Sequence, residues 1–500
     1  MKLKRYILAA FTATAGLLAA GCSDWLDYTP KDKQSYEQQF NTIAGFHSAV
    51  NGVYTQMTSS SLYGQNLSYG AIDILGLCYS ISSSNKNLYE ICEANYSGSY
   101  ASSVFSTIWT KAYNTLLNIN LVLEALEEFP NVLDPDDAQL IKAEMLALRA
   151  YIHFDLVRLY GPIYSNNPDA LSVPFANSSE VLKREQLGAN DILTNKILPD
   201  IIEAQELLSE VDPILTSGVL NYEGENGNWW HYRQLRMNYY AVTLLKARVH
   251  QWMGDDDNAI AETEKITDSP KVAETFPWVV PNRLLSNNIN PDRMFSTECL
   301  FGFYKNDIEN IYKDSFSGTL DHTYVMQPRN GYVGLLFSST ADYRRQSQWA
   351  VSAAAGGSDF DFIKYKSFTA NKETPEFWAS FYGLMRISEA YYIAAEAWLN
   401  KGDKIKAGEY LSKVLEARGV GELDTEFMNE KLVRNEIIYE YLREMRGEGQ
   451  IFFLHKRHEQ HFGSGNGGTP NFDASGYSVS SDVPAVSVRY IVPIPSGEKY

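Results

Sequence analysis

The sequence predicts a mainly α-helical protein, with tetratricopeptide-like helical hairpins stacking into a right-handed superhelical scaffold. Two observations predict this. Long stretches place apolar residues at steps of three and four, the period of a helix with a buried face. In addition, one hairpin pattern occurs twice. Ala247, Gly254-Asp255, Ala259 and Ile266 form the first copy. Ala395, Gly402-Asp403, Ala407 and Val414 form the second, each 148 residues after its counterpart. Small residues let two antiparallel helices approach, Gly ends the first helix in a left-handed conformation, and Asp caps the second. Such units cannot bury their faces alone and must stack on neighbours.

In chain order, Lys2, Lys4 and Arg5 precede a run of apolar or small residues from 6 to 20, then Gly21-Cys22. This is the layout of a signal peptide. A helix over 6–20 spans about 22 Å, short of a ~30 Å hydrocarbon core, so it is not expected to remain in a membrane. Small residues before a cysteine resemble a bacterial lipobox, with Ala19 where Leu is usual. Residues 1–21 are then a lipoprotein signal peptide, Cys22 carries the acyl chains (palmitate among them), and 22–35 is anchor and tether. Buried methylenes at ~0.8 kcal/mol each hold a protein on a membrane without a spanning helix.

Residues 36–500 read as a single domain, with an N-terminal part over about 36–220 and a C-terminal part over about 230–500. Residues 36–57 have helical spacing, whereas 58–102, rich in Ser, Tyr, Asn and Gly, read as a long loop region of the kind that tends to be functional. A helix runs from near Val104 past Trp109, Tyr113, Leu116 and Leu117 until Pro130 stops it. Asp134-Pro135-Asp136-Asp137 starts the next, marked by Ala143, Leu146, Ala147, Ala150, Tyr151, Phe154 and Val157, and Gly161-Pro162 ends it. Further helices are expected over 185–210, 233–253 with 257–267, 381–400 with 404–418, and 428–447. Residues 268–380, mixed in composition, read as an insert of loops, short helices and a hairpin, and 463–487 as a Gly/Ser-rich loop.

The formal charge is −18, or about −21 without the three leader cations, which argues against nucleic acid and anionic headgroups as partners. No later segment has 18 consecutive apolar residues, and 45% hydrophobic with 13% aromatic content describes a well-cored globular chain. Cys78 and Cys92 either pair outside the cytoplasm or stay as buried thiols, and no C-x-x-C occurs.

Three clusters invite a chemical reading. Glu440, Glu444 and Glu448 lie a helical turn apart, like a glycosidase pair, but Arg443 and Arg446 are near enough to make a structural ion network the better reading. His455, His458 and His461 recur at steps of three, yet His458-Glu459-Gln460-His461 is one residue short of a zincin motif, and a solvated cluster is expected. Gly254-Asp255-Asp256-Asp257-Asn258 lacks the distal Glu and spacing of an EF-hand and reads as a helix cap. No phosphate loop or Gly-x-Ser-x-Gly is present, and no Gly-x-Gly-x-x-Gly joins a strand to a helix as a dinucleotide fingerprint requires. No catalytic residue, metal ligand or cofactor is assigned.

Several stretches resemble the SusD-like (RagB/SusD) family. They are Ala143-Glu144-Met145-Leu146-Ala147-Leu148-Arg149-Ala150-Tyr151 continuing through Phe154-Asp155-Leu156-Val157-Arg158-Leu159-Tyr160-Gly161-Pro162-Ile163, the start Cys22-Ser23-Asp24-Trp25-Leu26-Asp27 with Pro30, and Pro493-Ile494-Pro495 with Glu498. Glu440, Glu444 and Glu448-Gly449 match its Glu-rich helix, with departures at Tyr441 and Ile451, where the family commonly has Arg. The resemblance implies an outer-membrane surface lipoprotein, held to the membrane through its lipid alone. It would capture nutrient as a lid over a SusC-like TonB-dependent transporter barrel, with loops and the insert forming the ligand face and no covalent chemistry. Glycan is the implied ligand and peptide the alternative within that mechanism. A lipid-anchored hydrolase and a protein-binding helical scaffold are the competing classes. Sugars stack their apolar faces on aromatic rings. The binding candidates are therefore the aromatics of irregular regions: Tyr63, Tyr69, Tyr79, Trp229, Trp230, Trp278, Tyr312, Tyr324 and Trp349. The Trp229-Trp230 pair has a second reading, as a staple at a helix entry.

Overall fold

Helix ends fall where the sequence puts caps and breakers. In a computed structural model the described residues are 31–181, 183–224, 229–285, 291–321, 323–328, 330–352, 359–366, 377–459, 472–473, 476–477 and 487–498. The leader, Cys22 and most of the Gly/Ser-rich loop lie outside them. Helix α1 (Ile43–Met57) starts at Thr42, whose hydroxyl accepts from Gly45 N. α2 (Ser99–Glu128) and α3 (Pro135–Tyr160) pack together, and α4 (Leu198–Val211) lies against α3. Over its C-terminal half α3 is buried on nearly every side, as expected of a helix that is apolar around most of its circumference. Its last carbonyls are satisfied from far along the chain: the buried Lys456 Nζ donates to Arg158 O at 2.8 Å and Gly161 O at 2.7 Å.

The repeats form as their spacing predicts. α5 (Tyr239–Met253) and α6 (Asp256–Thr267) make one hairpin, α7 (Ile387–Asn400) and α8 (Lys404–Ala417) the other, and α6 packs on α7. Gly254 and Gly402 take φ of +74° and +85°, the left-handed region that glycine enters without cost. The Asp255 and Asp403 carboxylates then accept from Asn258 N and Lys406 N. Ala247, Ala259, Ala395 and Ala407 are all fully buried at the helix contacts. α9 (Glu430–Glu444) and α10 (Ile451–Arg457) complete the scaffold.

Two expectations are corrected. Residues 58–102 are not one long loop: Leu62, Tyr63, Leu67, Tyr69, Tyr79 and Ile81 all join the core, with short helices at Ala71–Leu75 and Lys86–Cys92. Their backbone is satisfied internally, as in Leu67 N to Leu62 O and the Ser68 hydroxyl to Tyr63 O, so polar composition there reflects internal bonding rather than exposure. Residues 381–386 are a strand instead of the first turns of a helix. In chain order the strands are β1 (Cys299–Tyr304), β2 (Trp349–Val351), β3 (Phe360–Phe362) and β4 (Phe381–Arg386). β4 pairs antiparallel with β1 from the distant insert, Tyr304 opposite Phe381 and Cys299 opposite Arg386, while β2 and β3 form a hairpin. Gly383 faces Cys299 so closely that an added Cβ would lie 2.6 Å from the thiol sulfur. Of the two states open to Cys78 and Cys92, the structure has the free buried thiols, and Cys299 is free and buried as well.

Candidate functional site

Of the nine aromatic candidates, Tyr63, Tyr69, Tyr79 and Trp349 point into the core. Tyr63 packs on Tyr151, Tyr69 and Tyr79 on Phe316, and Trp349 on Phe362 across the β2–β3 hairpin. Their segments looked irregular, but core strands and turns also need large rings. Trp229 and Trp230 are half-buried. The His47 imidazole stacks on the Trp229 indole at 3.6 Å and 8°, and the Arg236 guanidinium lies over the same ring at 4.7 Å. The Trp230 side chain bonds Asp137 at the start of α3. The pair thus ties the entry of α5 to α1 and α3. Trp278, also half-buried, packs on Tyr391 and under Arg418. Tyr312 has Lys366 Nζ 5.5 Å from its ring centre, and Tyr324 is exposed.

The structure assembles a different aromatic face. β1 ends on Tyr304, which is 48% exposed at the outer end of the β1–β4 ladder. The turn Phe377–Ala379, leading into β4, folds back beside it, and Phe377 contacts Tyr304 at 6.1 Å and Phe381 at 5.3 Å. On the other side Phe377 is stacked with Tyr232 at 6.4 Å and 18°. Tyr232 reaches it from a left-handed position, φ +52°, that opens the turn Arg233–Leu235. His231 and the exposed Tyr222 meet edge to face next in line, and Arg283 lies 4.2 Å from the Trp378 ring centre. Tyr232 and Phe377 are stacked within 18° of parallel, and Tyr304 is tilted by 34° to Phe377; Tyr304 is exposed and the other two half-buried, with Lys305 and Asp307 paired at 2.9 Å at the strand end. Flat rings bordered by a few polar groups suit the C–H face of a sugar.

The acidic residues form a locked network. Glu440 and Glu444 are fully buried on α9, and Glu448 joins them after a turn at Gly447. Arg344 binds Asp342, Glu440 and Glu444, while Arg418 joins Glu444 to Glu298 at 2.5 and 2.6 Å. Arg386 bridges Glu444 and Glu448, and Lys364 also pairs with Glu448. Burial alone would raise the Glu440 carboxyl; Arg344 and Arg443 hold it at about 2. Every carboxylate oxygen is thus held by a cation, away from solvent, and none is placed to act as acid or base on a substrate. Two glycines make the turn possible. An added Cβ would lie 2.6 Å from Tyr365 Oη at Gly447 and 2.3 Å from Leu67 O at Gly449, both with positive φ. His455 is buried, which pushes its imidazole down to about 3, and His458 Nε2 sits 3.1 Å from Glu396 Oε1 rather than in solvent. His461 lies outside the described residues, among which no cluster of metal-ligating side chains occurs.

Comparison with known proteins places this scaffold. One family model, described as "Starch-binding associating with outer membrane", matches residues 24–216, and a second, described as "SusD family", matches residues 337–500. The chain belongs to the SusD family. Two SusD-like proteins of Formosa agariphila are 22% and 24% identical to it over 64% and 39% of its length. The matches span 55% and 36% of those relatives' own lengths. A SusD superfamily protein of Bacteroides thetaiotaomicron superposes with a TM-score of 0.64 at 18% identity, covering 91% of this chain and 97% of that one. The surface glycan-binding protein A of the same organism gives 0.63 at 17% identity, covering 92% and 97%. One from Bacteroides fragilis gives 0.62 at 21%, covering 91% and 97%. At these identities the likeness is one of fold.

The two matched stretches hold the SusD-family scaffold: α1 to α4, and α7 to α10 with the Glu-rich network. Tyr222, Tyr232 and Tyr304 fall between them, in the stretch neither model covers. Phe377, at the centre of the aromatic face, lies within the second matched stretch, and the first repeat hairpin, α5 with α6, lies between the two. Among the described residues no helix is long and apolar enough to cross a membrane.

Proposed function

We propose that the protein is a cell-surface binding lipoprotein that captures an oligosaccharide or polysaccharide on the Tyr232–Phe377–Tyr304 face. It then delivers the glycan to a SusC-like TonB-dependent barrel in the outer membrane. The observation that carries this reading is the row of three rings, Tyr304 exposed and Tyr232 and Phe377 half-buried, at the open end of the β1–β4 ladder. Membership of a family whose model is described as starch-binding supports it, as does the likeness to a surface glycan-binding protein. Lipid on Cys22 is the anchor in this reading. Capture requires only contact, and the glutamates of the α9 network are all bound by cations, so none of them is free to serve as acid or base.

Calorimetric titration of the protein against polysaccharides, oligosaccharides and peptide mixtures tests it. Binding of a glycan without turnover is expected. Ring contacts of about 0.5–1.5 kcal/mol each put the loss for Tyr304→Ala or Phe377→Ala at roughly 3- to 10-fold. Trp229→Ala should leave affinity unchanged, because His47 and Arg236 already lie on that ring. A Tyr304→Ala/Phe377→Ala double variant with full glycan affinity would remove this face from the mechanism. Co-purification of the protein with a TonB-dependent barrel from outer membranes tests the delivery step, and recovery of the protein alone argues against it.

A further inference from the structure

Among the described residues, six that are not glycine hold a positive φ: Leu77, Ala94, Leu220, Tyr232, Phe295 and Glu459. The left-handed region crowds Cβ against the following carbonyl oxygen, so it is uncommon for such side chains. They persist there when the surroundings over-determine them, and they gather at functional sites. Two of the six meet. Leu220 and Tyr232, both at φ +52°, are joined by a hydrogen bond from Tyr232 N to Leu220 O at 3.2 Å. Leu220 O also accepts from Tyr222 N at 2.8 Å, and Arg233 N donates to Val219 O at 3.0 Å. Two chain segments are thus clamped together where Tyr232 is delivered to Phe377.

The clamp is fixed from the core. Arg233 is fully buried; its Nε and Nη2 grip the Asp212 carboxylate at 2.9 and 3.1 Å, and its Nη1 reaches Glu144 Oε1 at 2.6 Å. Asn238 Nδ2 donates to Arg233 O at 3.0 Å, and the buried Gln234 side chain donates to Asn221 Oδ1 on the opposite segment. Tyr232 therefore lies between two fixed amides, its own bonded to Leu220 O and that of Arg233 to Val219 O. Its left-handed backbone reconciles those bonds with a ring stacked on Phe377 at 6.4 Å and 18°. The Leu220 side chain is only half-buried; what enters the clamp is its carbonyl.

We propose that Leu220 and Arg233 are positioning residues for ligand capture, which hold the Tyr232 ring on Phe377 before a ligand arrives. Leu220 acts through its carbonyl and Arg233 through its buried fork. The proposal rests on the glycan reading of the Tyr232–Phe377–Tyr304 face. A ring already in place loses little further freedom when a sugar stacks on it, so the clamp contributes affinity without touching the ligand.

Two substitutions at Leu220 separate backbone from side chain. Valine is β-branched and strongly disfavoured in the left-handed region, so Leu220→Val should withdraw the carbonyl from Tyr232 N and weaken glycan binding roughly 3- to 10-fold in the calorimetric titration. Leu220→Gly keeps the left-handed conformation freely and should bind as tightly as the unaltered protein. A packing role for the leucine side chain predicts the reverse order, because valine keeps most of the apolar surface and glycine none. That order, or full affinity in Leu220→Val, overturns the proposal.

A second readout needs no ligand. With 3-fluorotyrosine at position 232 alone, the fluorine resonance should be displaced by the Phe377 ring in the unaltered protein and in Leu220→Gly. It should return toward the position of a free ring in Phe377→Ala and in Leu220→Val. Arg233→Lys keeps the charge but loses the fork, and should move both readouts in the same direction as Leu220→Val; it takes the place of Leu220→Val if that variant does not fold. A resonance unmoved by Leu220→Val and Arg233→Lys overturns the proposal whatever the affinities. If the unaltered protein binds no glycan, the glycan reading fails, and the fluorine spectrum alone decides whether the clamp sets the ring.

Discussion

Replacing Glu444 with Ala should cost about 3–5 kcal/mol of folding stability, the usual loss when one member of a buried ion network is removed. The carboxylate accepts from Arg386 Nη1, from Arg418 Nη2 and Nε at 2.5 and 3.1 Å, and from Arg344 Nη1 at 3.0 Å. Without it, Arg344 keeps only Asp342 and Glu440, Arg418 only Glu298, and Arg386 only Glu448 and the more distant Glu298, while Arg443 stays paired with Glu436 and Glu440. The three arginines that meet on Glu444 then lose their shared negative charge in an interior from which water is excluded. Glu444→Gln separates charge from volume: it fills the same space, keeps a carbonyl acceptor, and should still lose over half as much. Exposed Glu409→Ala, elsewhere in the scaffold, should stay within about 0.5 kcal/mol of the unaltered protein. Urea unfolding followed by circular dichroism reads the difference as a lower midpoint at unchanged slope. A loss below about 1 kcal/mol for Glu444→Ala, or a Glu444→Gln variant as stable as the unaltered protein, would refute the claim that this network is held together by charge.

Asp73, fully buried with Oδ2 accepting from Gly447 N at 2.7 Å, is raised by burial to about 7, against the pull of the Gly447 N–H and of Arg446. For a carboxyl raised in the folded state, the stabilisation is present below its ordinary value of 3.8 and is lost as pH rises through about 7. The gap corresponds to about 4 kcal/mol between pH 4 and 8. Asp73→Asn should flatten that slope in melting curves, and an unchanged slope would assign it elsewhere. Glu440 runs the other way: its contribution is present above its ordinary 4.5 and is lost as pH falls toward about 2, so Glu440→Gln should lower stability at neutral pH and flatten the acid loss between about 4.5 and 2. Gly449→Ala should destabilise by several kcal/mol because its Cβ meets a backbone oxygen, whereas Gly254→Ala, with similar φ and open space, should lose only about 1–2 kcal/mol. Comparable losses in the two would mean that the Leu67 carbonyl moves aside.

The scaffold was legible because its rules are local. The Gly-Asp junctions, the Ala pairs and the Asp134-Pro135 start each act within a few residues, and each sits in the structure where spacing places it. Legibility failed where partners came from a distance. Phe381–Arg386 has apolar residues compatible with either period, and only pairing with Cys299–Tyr304 makes it a strand. Segment 58–102 looked solvated because Ser and Asn are common there, yet its hydroxyls and turns close hydrogen bonds inside the core. The C-terminal cap of α3 is likewise invisible in sequence: Lys456 supplies its donors, reaching Gly161 O from 295 residues away.

The same distinction explains the site. An aromatic residue in an irregular stretch was the only available signal for ligand contact, and it does not separate a ring that fills the core from one that faces solvent. Tyr79 and Tyr304 are alike in composition of surroundings; one is enclosed by Phe316 and the Asp73 carboxylate, the other stands at a strand end. Tyr232, Tyr304 and Phe377 come from three segments whose juxtaposition depends on β1 meeting β4, so no spacing rule could have collected them. The doublet Phe377-Trp378 before an alternating strand was the one local hint. Burial is therefore the deciding variable. A substitution series along Tyr304, Phe377 and Tyr232 measures ligand contact, whereas the same series along Tyr63, Tyr69 and Tyr79 measures folding.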